Sequence, residues 1–239
     1  TGLRLDRYLN DGSGSFSGTA FGVGVRDAST SLGDLDGDGD VDLIVTGSSS
    51  VGRRIDRYMN NGTGNLILTA VAFGASVDAG STSFGDIDGD GDLDLVASGQ
   101  SSSGATLNRY FNNGLGVFGP KCPLYCSTAF GTGVRDASTS LADADGDGDL
   151  DLIVSGRPAT GSARLDLYLN NGTGGFVGPG PFGRGIIRGS TSIADADGDG
   201  DPDLIVTGNG RLDLYRNPRP DQNTAPQAPT GLSASNVGG

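Results

Sequence analysis

A nine-residue stretch, Asp34-Leu-Asp-Gly-Asp-Gly-Asp-Val-Asp42, recurs three more times in this chain and limits its fold more than any other feature. The other copies are Asp86–Asp94, Asp143–Asp151 and Asp195–Asp203. Each puts five carboxylates into nine residues, and carboxylates that close repel one another unless a cation sits among them. The alternation is also how a short loop wraps a hard, oxygen-seeking ion. Side chains at positions 1, 3, 5 and 9 turn inward, the backbone carbonyl at position 7 adds an oxygen, and glycine at position 6 permits the sharp turn. The candidate ligands are Asp34, Asp36, Asp38 and Asp42 with the carbonyl of Asp40, and Asp86, Asp88, Asp90 and Asp94 with that of Asp92. The later loops offer Asp143, Asp145, Asp147 and Asp151 with Asp149, and Asp195, Asp197, Asp199 and Asp203 with Asp201. The pattern predicts four Ca²⁺ sites.

The acidity of the chain is mostly this ligand chemistry. All 29 acidic residues are aspartate, and twenty of them lie in the four loops. Four bound divalent ions would bring the net charge from −13 to −5. That balance argues against nucleic acid as a partner. No apolar run is long enough to span a membrane as a helix. The chain starts at Thr1 without a signal sequence, which reads as a processed or truncated product. Cys122 and Cys126 are too few for a structural zinc site. Beside calcium loops they suit a small disulfide in an oxidising compartment, with a pair of free thiols as the alternative.

The loops begin at residues 34, 86, 143 and 195, a period of a little over fifty residues, which is the range of arrays and propellers. The longest interval contains the two cysteines. Each repeat opens with a small-residue strand: Ser29-Thr-Ser-Leu32, Ser81-Thr-Ser-Phe84, Ser138-Thr-Ser-Leu141 or Ser190-Thr-Ser-Ile193. The acidic loop follows. A β-branched run such as Leu43-Ile-Val-Thr46 then suits a strand buried on both faces. A third strand alternates, as in Arg164-Leu-Asp-Leu-Tyr-Leu169, and ends in Asn-Asn-Gly, a strong turn signal. A fourth strand starts near Phe118 or Phe176. Four strands in about fifty residues make one propeller blade. A single such sheet cannot bury both faces, but a stack can.

The termini complicate closure. The N-terminus supplies a third strand (Leu3–Leu9) and a fourth (near Phe16), while the C-terminus supplies a first, second and third. A four-blade ring would therefore hold one third strand too many. Either one copy is displaced, or it pairs with another chain, or the chain is part of a longer propeller. Residues 1–217 carry the repeats. Residues 218–239 read as a Pro-rich linker, and from Ala228 onward they resemble the opening strand of a fibronectin type III module.

The combination of Ser-Thr-Ser, Asp-x-Asp-Gly-Asp-Gly-Asp-x-Asp-Leu and Tyr-x-Asn-Asn-Gly-x-Gly-x-Phe resembles the FG-GAP/VCBS repeat of integrin α-subunit propellers, fungal propeller lectins and bacterial surface proteins. The literal Phe-Gly stands at Phe21-Gly22, Phe73-Gly74, Phe130-Gly131 and Phe182-Gly183. The resemblance implies an all-β propeller of four-stranded antiparallel blades, most simply four, each with calcium in its first hairpin loop. It also implies a secreted, cell-surface module for adhesion to, or recognition of, a glycan or protein. A second reading is a structural subunit of a surface assembly or filament, joined to copies of itself by strand or tail exchange.

Other features take simpler readings beside the functional ones. Asn61-Gly-Thr63 and Asn171-Gly-Thr173 match a glycosylation acceptor, but they are also Asn-Gly turns. Arg26-Asp27, Arg135-Asp136, Arg184 and Arg188 are either a ligand face or solvated charge. Tyr8, Tyr58, Tyr110, Tyr168 and Tyr215 recur once per third strand, which favours packing over a sugar-stacking platform. With no histidine and no glutamate, an enzyme is not expected.

Overall fold

A computed structural model describes residues 2–71, 76–119, 129–217 and 233–236. Every regular element among them is a β-strand, seventeen in all. An N-terminal hairpin, β1 (Arg4–Asn10) and β2 (Phe16–Val23), forms a two-stranded sheet. The first full repeat is the antiparallel sheet β3 (Arg26–Gly33), β4 (Asp42–Ser49), β5 (Gly52–Asn60) and β6 (Leu66–Val71). The second holds β7 (Asp78–Gly85), β8 (Asp94–Ser101) and β9 (Gly104–Tyr110). The third holds β10 (Ala129–Ala142), β11 (Asp151–Pro158), β12 (Arg164–Leu169) and β13 (Val177–Pro181). The long strand β10 pairs with β9 through its first half and with β11 through its second, so these two repeats share a seven-stranded sheet. The fourth sheet is β14 (Ser190–Ala194), β15 (Asp203–Gly208), β16 (Arg211–Arg216) and β17 (Ser233–Asn236).

Two differences from the sequence reading stand out. The expected fourth strand of the second repeat, near Phe118, is reduced to one bridge between Phe111 and Gly119. The fourth sheet takes its outer strand from the tail segment Ser233–Asn236, paired with β16. The hairpin β1–β2 therefore does not complete that sheet.

The strand after each loop is buried as its apolar run requires: Asp42 to Ser49 of β4 are buried without a break. The core lies between sheets rather than within them. Leu35, Ile44 and Ile55 of the first repeat pack with Leu95, Ala97 and Tyr110 of the second. Ile87, Val96 and Leu107 pack with Val134, Leu152, Val154 and Tyr168. Ile153, Leu165 and Leu167 pack with Ile186, Leu204, Val206 and Tyr215. Four tyrosines of the third strands, Tyr58, Tyr110, Tyr168 and Tyr215, are thus core residues, each at most 6% exposed, whereas Tyr8 is 63% exposed.

The inner strands stack in series, β3 on β7, β7 on β10 and β10 on β14, with no comparable contact from β14 back to β3. A polar ladder runs along this stack. Ser29 and Ser31 meet the Thr82 hydroxyl at 3.2 and 2.6 Å. Ser81 and Ser83 meet Thr139 at 3.0 and 2.7 Å, and Ser138 and Ser140 meet Thr191 at 2.9 and 2.7 Å. The Ser-Thr-Ser motif is therefore an interface code, serines pointing forward to the next sheet's threonine. No sheet closes on itself among the described residues.

Candidate metal centres

Each acidic loop joins the first two strands of its sheet, and its backbone is shaped by its own carboxylates. Asp34 accepts from Gly37 N at 2.9 Å through one oxygen and from Gly39 N at 3.0 Å through the other. Asp86, Asp143 and Asp195 do the same for their two loop glycines. Those glycines hold positive φ, 74° and 90° in the first loop, where a side chain would be strained. The last aspartate of each loop is fully buried and ties two segments together. Asp42 accepts from Leu35 N at 2.9 Å and from Asn60 N, at the end of the third strand, at 2.7 Å. Asp94, Asp151 and Asp203 repeat both bonds.

Carboxylate oxygens within 4.8 Å of one another come from Asp34, Asp36 and Asp42 in the first loop and from Asp86, Asp88 and Asp90 in the second. In the third they come from Asp143, Asp145 and Asp151, and in the fourth from Asp195, Asp197 and Asp199. Positions 1 and 3 thus converge in every loop, joined by position 9 in two and by position 5 in two. Asp38, Asp94, Asp147 and Asp203 lie outside these triads. Asp40, Asp92 and Asp149 send their carboxylates toward the Asn-Gly turn of their own repeat. A Cβ on Gly62, Gly114 or Gly172 would stand 2.9, 2.8 or 2.7 Å from them. The carboxylate ends could swing away, so it is the positive φ of these residues that restricts the turn to glycine.

The donors are all oxygen, as a hard cation requires. Asp36 Oδ1 is buried and has no hydrogen-bond donor. Burial, and then the charges of Asp38 and Asp42, hold the Asp36 carboxyl above the usual range. Burial and the neighbouring Asp147 do the same to Asp145. Burial pushes Asp94 and Asp151 up to about 7, against the lowering effect of their backbone hydrogen bonds. A cation among such groups supplies the missing partner and reverses those shifts. The residues present fit calcium, which positions 1 and 3 would hold in every loop, with position 9 in the first and third and position 5 in the second and fourth.

The FG-GAP-like repeat family matches residues 34–97 and 159–206, taking in the first, second and fourth acidic loops. These two stretches are FG-GAP-like repeats. A solved structure aligns over 90% of the chain at 26% identity with a TM-score of 0.55. It was described for specific recognition of non-reducing terminal N-acetylglucosamine by an Agrocybe aegerita lectin. The chain spans 58% of the length of that lectin chain. No curated protein matches the sequence.

Two of the hollows among the described residues bear on function. One, of about 340 Å³, is lined by Asp88 and Asp90 of the second loop and by Phe111, Asn112, Asn113, Val117, Phe118 and Gly119. The other, of about 220 Å³, gathers equivalent positions of four repeats, Asp27, Ala79, Asp136 and Arg188. All four have positive φ near 50°, and in β3, β7 and β10 they fall where the register shifts. Here Arg188 pairs with Asp136 at 3.1 Å. Asn61 and Asn171 act in turns, each accepting from the backbone and hydroxyl of the threonine two residues on. Cys122 and Cys126 lie outside the described residues.

Sequence reasoning passed over two sets of residues. Buried Asp56, Asp166 and Asp213 each pair with the arginine two positions earlier, Arg54, Arg164 and Arg211. In the second repeat the pair becomes Thr106 and Asn108, joined at 2.7 Å. That paired exchange of Arg-x-Asp for Thr-x-Asn was the legible signal. The asparagine after the third strand of the second, third and fourth repeats also crosses to the preceding repeat. Asn112, Asn170 and Asn217 donate to the carbonyls of Leu35, Ile87 and Ala144 at 2.7, 2.8 and 2.8 Å.

Proposed function

We propose that this chain is a calcium-loaded recognition module that holds a glycan in the hollow beside its second acidic loop. One observation carries the reading: that hollow sets the rings of Phe111 and Phe118 beside the amides of Asn112 and Asn113 and the carboxylates of Asp88 and Asp90. Apolar ring faces receive the C–H faces of a sugar, and the exposed Asn113 amide takes its hydroxyls, the Asn112 amide being bonded to Leu35, Leu93 and Asn113. The likeness to a lectin that recognises N-acetylglucosamine supports it. In this reading the four repeats are propeller blades, each loop holds one Ca²⁺, and the ions are structural. The module works outside the cell, where calcium is abundant, and catalyses nothing; a glycan-bearing protein is an equivalent partner.

The test is a glycan array that includes terminal N-acetylglucosamine, run with calcium and with EDTA. Val117, 53% exposed at the hollow, is replaced by arginine in parallel. Binding in calcium should be lost in Val117→Arg at an unchanged melting temperature. Undiminished binding by that variant, or no glycan retained by the parent chain, overturns the reading.

A further inference from the structure

Beside the hollow of the second repeat stands a half-buried cation with no anion of its own. Arg109 lies on β9, two residues before Phe111, so the two side chains share one face of the strand. Its guanidinium carbon is 5.8 Å from the centre of the Phe111 ring, which lines the hollow, and 5.2 Å from that of Phe130. Among the described residues it makes these two ring contacts and no hydrogen bond or ion pair.

The same position is served differently in the other repeats. Arg57 donates to the Thr69 hydroxyl at 3.0 Å and to the carbonyl of Gly116. Arg7 donates to Asn65 Oδ1 at 3.3 Å. In the third and fourth repeats the position is apolar, Leu167 and Leu214. Burial lowers the Arg109 guanidinium with nothing acting against it, whereas the charges of Asp42 and Asp36 act against the burial of Arg57.

The sequence around Arg109 is equally bare of acid. No aspartate occurs between Asp94 and Asp136, and Lys121 and Arg135 fall in that stretch as well. Asn108, the residue beside it, stands where the other repeats carry the buried Asp56, Asp166 and Asp213.

A guanidinium laid on aromatic rings is fixed in direction and keeps an N–H edge for a bidentate anion. Partial burial strengthens such a pair relative to one in open water. The chain as a whole, at a net charge of −13, repels anions, so one held here is held by local geometry and not by a general field.

We propose that the glycan taken by this hollow carries an acidic substituent, a carboxylate or a sulfate, which Arg109 receives while a neighbouring sugar face lies on Phe111. The inference rests on the glycan reading above and narrows its ligand to acidic glycans.

The test is an array of matched pairs in calcium: a glucuronate-terminated chain with its methyl ester, and a sulfated N-acetylglucosamine with its unsulfated form. The parent chain, Arg109→Met and Arg109→Lys are compared, each with a thermal melt. Methionine keeps an unbranched stem on the rings without the charge. The parent should prefer the acidic member of at least one pair by about tenfold, and the pair that responds tells carboxylate from sulfate. Arg109→Met should bind both members alike, with the neutral one held as the parent holds it. Arg109→Lys keeps the charge without the bidentate edge and should retain part of the preference, so a folding defect in the first variant leaves the second to decide. Equal binding of both members by the parent, or a preference that survives unchanged in both variants, overturns the proposal and leaves the glycan reading standing. Retention of neither member, or of an aspartate-rich peptide in place of any glycan, overturns both.

Discussion

Removing calcium should destabilise the fold by an amount comparable to a whole domain's net stability. On the proposed reading each of the four acidic clusters holds one ion. With a dissociation constant of ~0.1 mM, at the tighter end for extracellular modules, and ~2 mM free calcium, each ion contributes about 1.8 kcal/mol by mass action. Four independent sites contribute about 7 kcal/mol, against a total of roughly 5–15 kcal/mol for a domain. For a domain of this size each kcal/mol moves the midpoint by about 2–4 °C, so EDTA should lower it by roughly 15–25 °C. The assay is a thermal melt followed by far-UV circular dichroism, in excess calcium and in excess EDTA, at low ionic strength and pH 7.5. Magnesium at the same concentration should restore little, because it demands a tighter octahedral shell. A midpoint that moves by less than about 3 °C would refute the assignment of these loops as occupied sites.

Three further outcomes follow from the geometry. Arg164→Thr strips the partner from Asp166, which is fully buried, and should cost about 3 kcal/mol in urea unfolding. The double change Arg164→Thr with Asp166→Asn, copying the second repeat, should come within about 1 kcal/mol of the parent, and simple additivity would show the pair to be uncoupled. Gly148→Ala meets no atom within 4 Å but is forced to φ 95°, so it should cost about 1–2 kcal/mol from backbone strain alone. Without calcium, Asp94 and Asp151 hold their protons to about pH 7, above their unfolded value of 3.8, so the calcium-free fold loses stability as pH rises between those limits. Calcium needs the ionised form, so calorimetric affinity should be higher at pH 8 than at pH 5.5, while EDTA melts rank in the opposite order.

The repeat was legible because its signals are local. Loop spacing, the β-branched run of Leu43–Thr46 and the Asn-Gly turns each follow from chemistry within a few residues. Which carboxylates converge was not legible, because positions 5 and 9 trade places between loops whose sequences and backbone clips are alike. Asp42 in the first triad and Asp90 in the second show this. The purpose of Ser-Thr-Ser was hidden for a different reason. Its partner lies about fifty residues away, and Ser31 gives no local hint that Thr82 is opposite. The same holds for the strand at Ser233–Asn236, whose pairing with β16 bridges a segment that reads as linker.

The loops and the interfaces are one device. The second residue of each of the first three loops carries both jobs on adjoining peptides. The N–H of Leu35 is fixed by Asp42, and its carbonyl receives Asn112 of the next repeat. Ile87 and Ala144 do the same for Asn170 and Asn217. An ion that holds positions 1 and 3 therefore pins the one residue between them, and with it the docking point of the neighbouring sheet. Loss of a single ion should loosen two sheets rather than one, with no moving part needed to carry the effect. Because Leu35, Ile87 and Ala144 are also buried in the packing between repeats, the polar clamp and the apolar contact weaken together. On the proposed calcium-bound reading, the strength of the stack then depends on charge neutralisation in the loops.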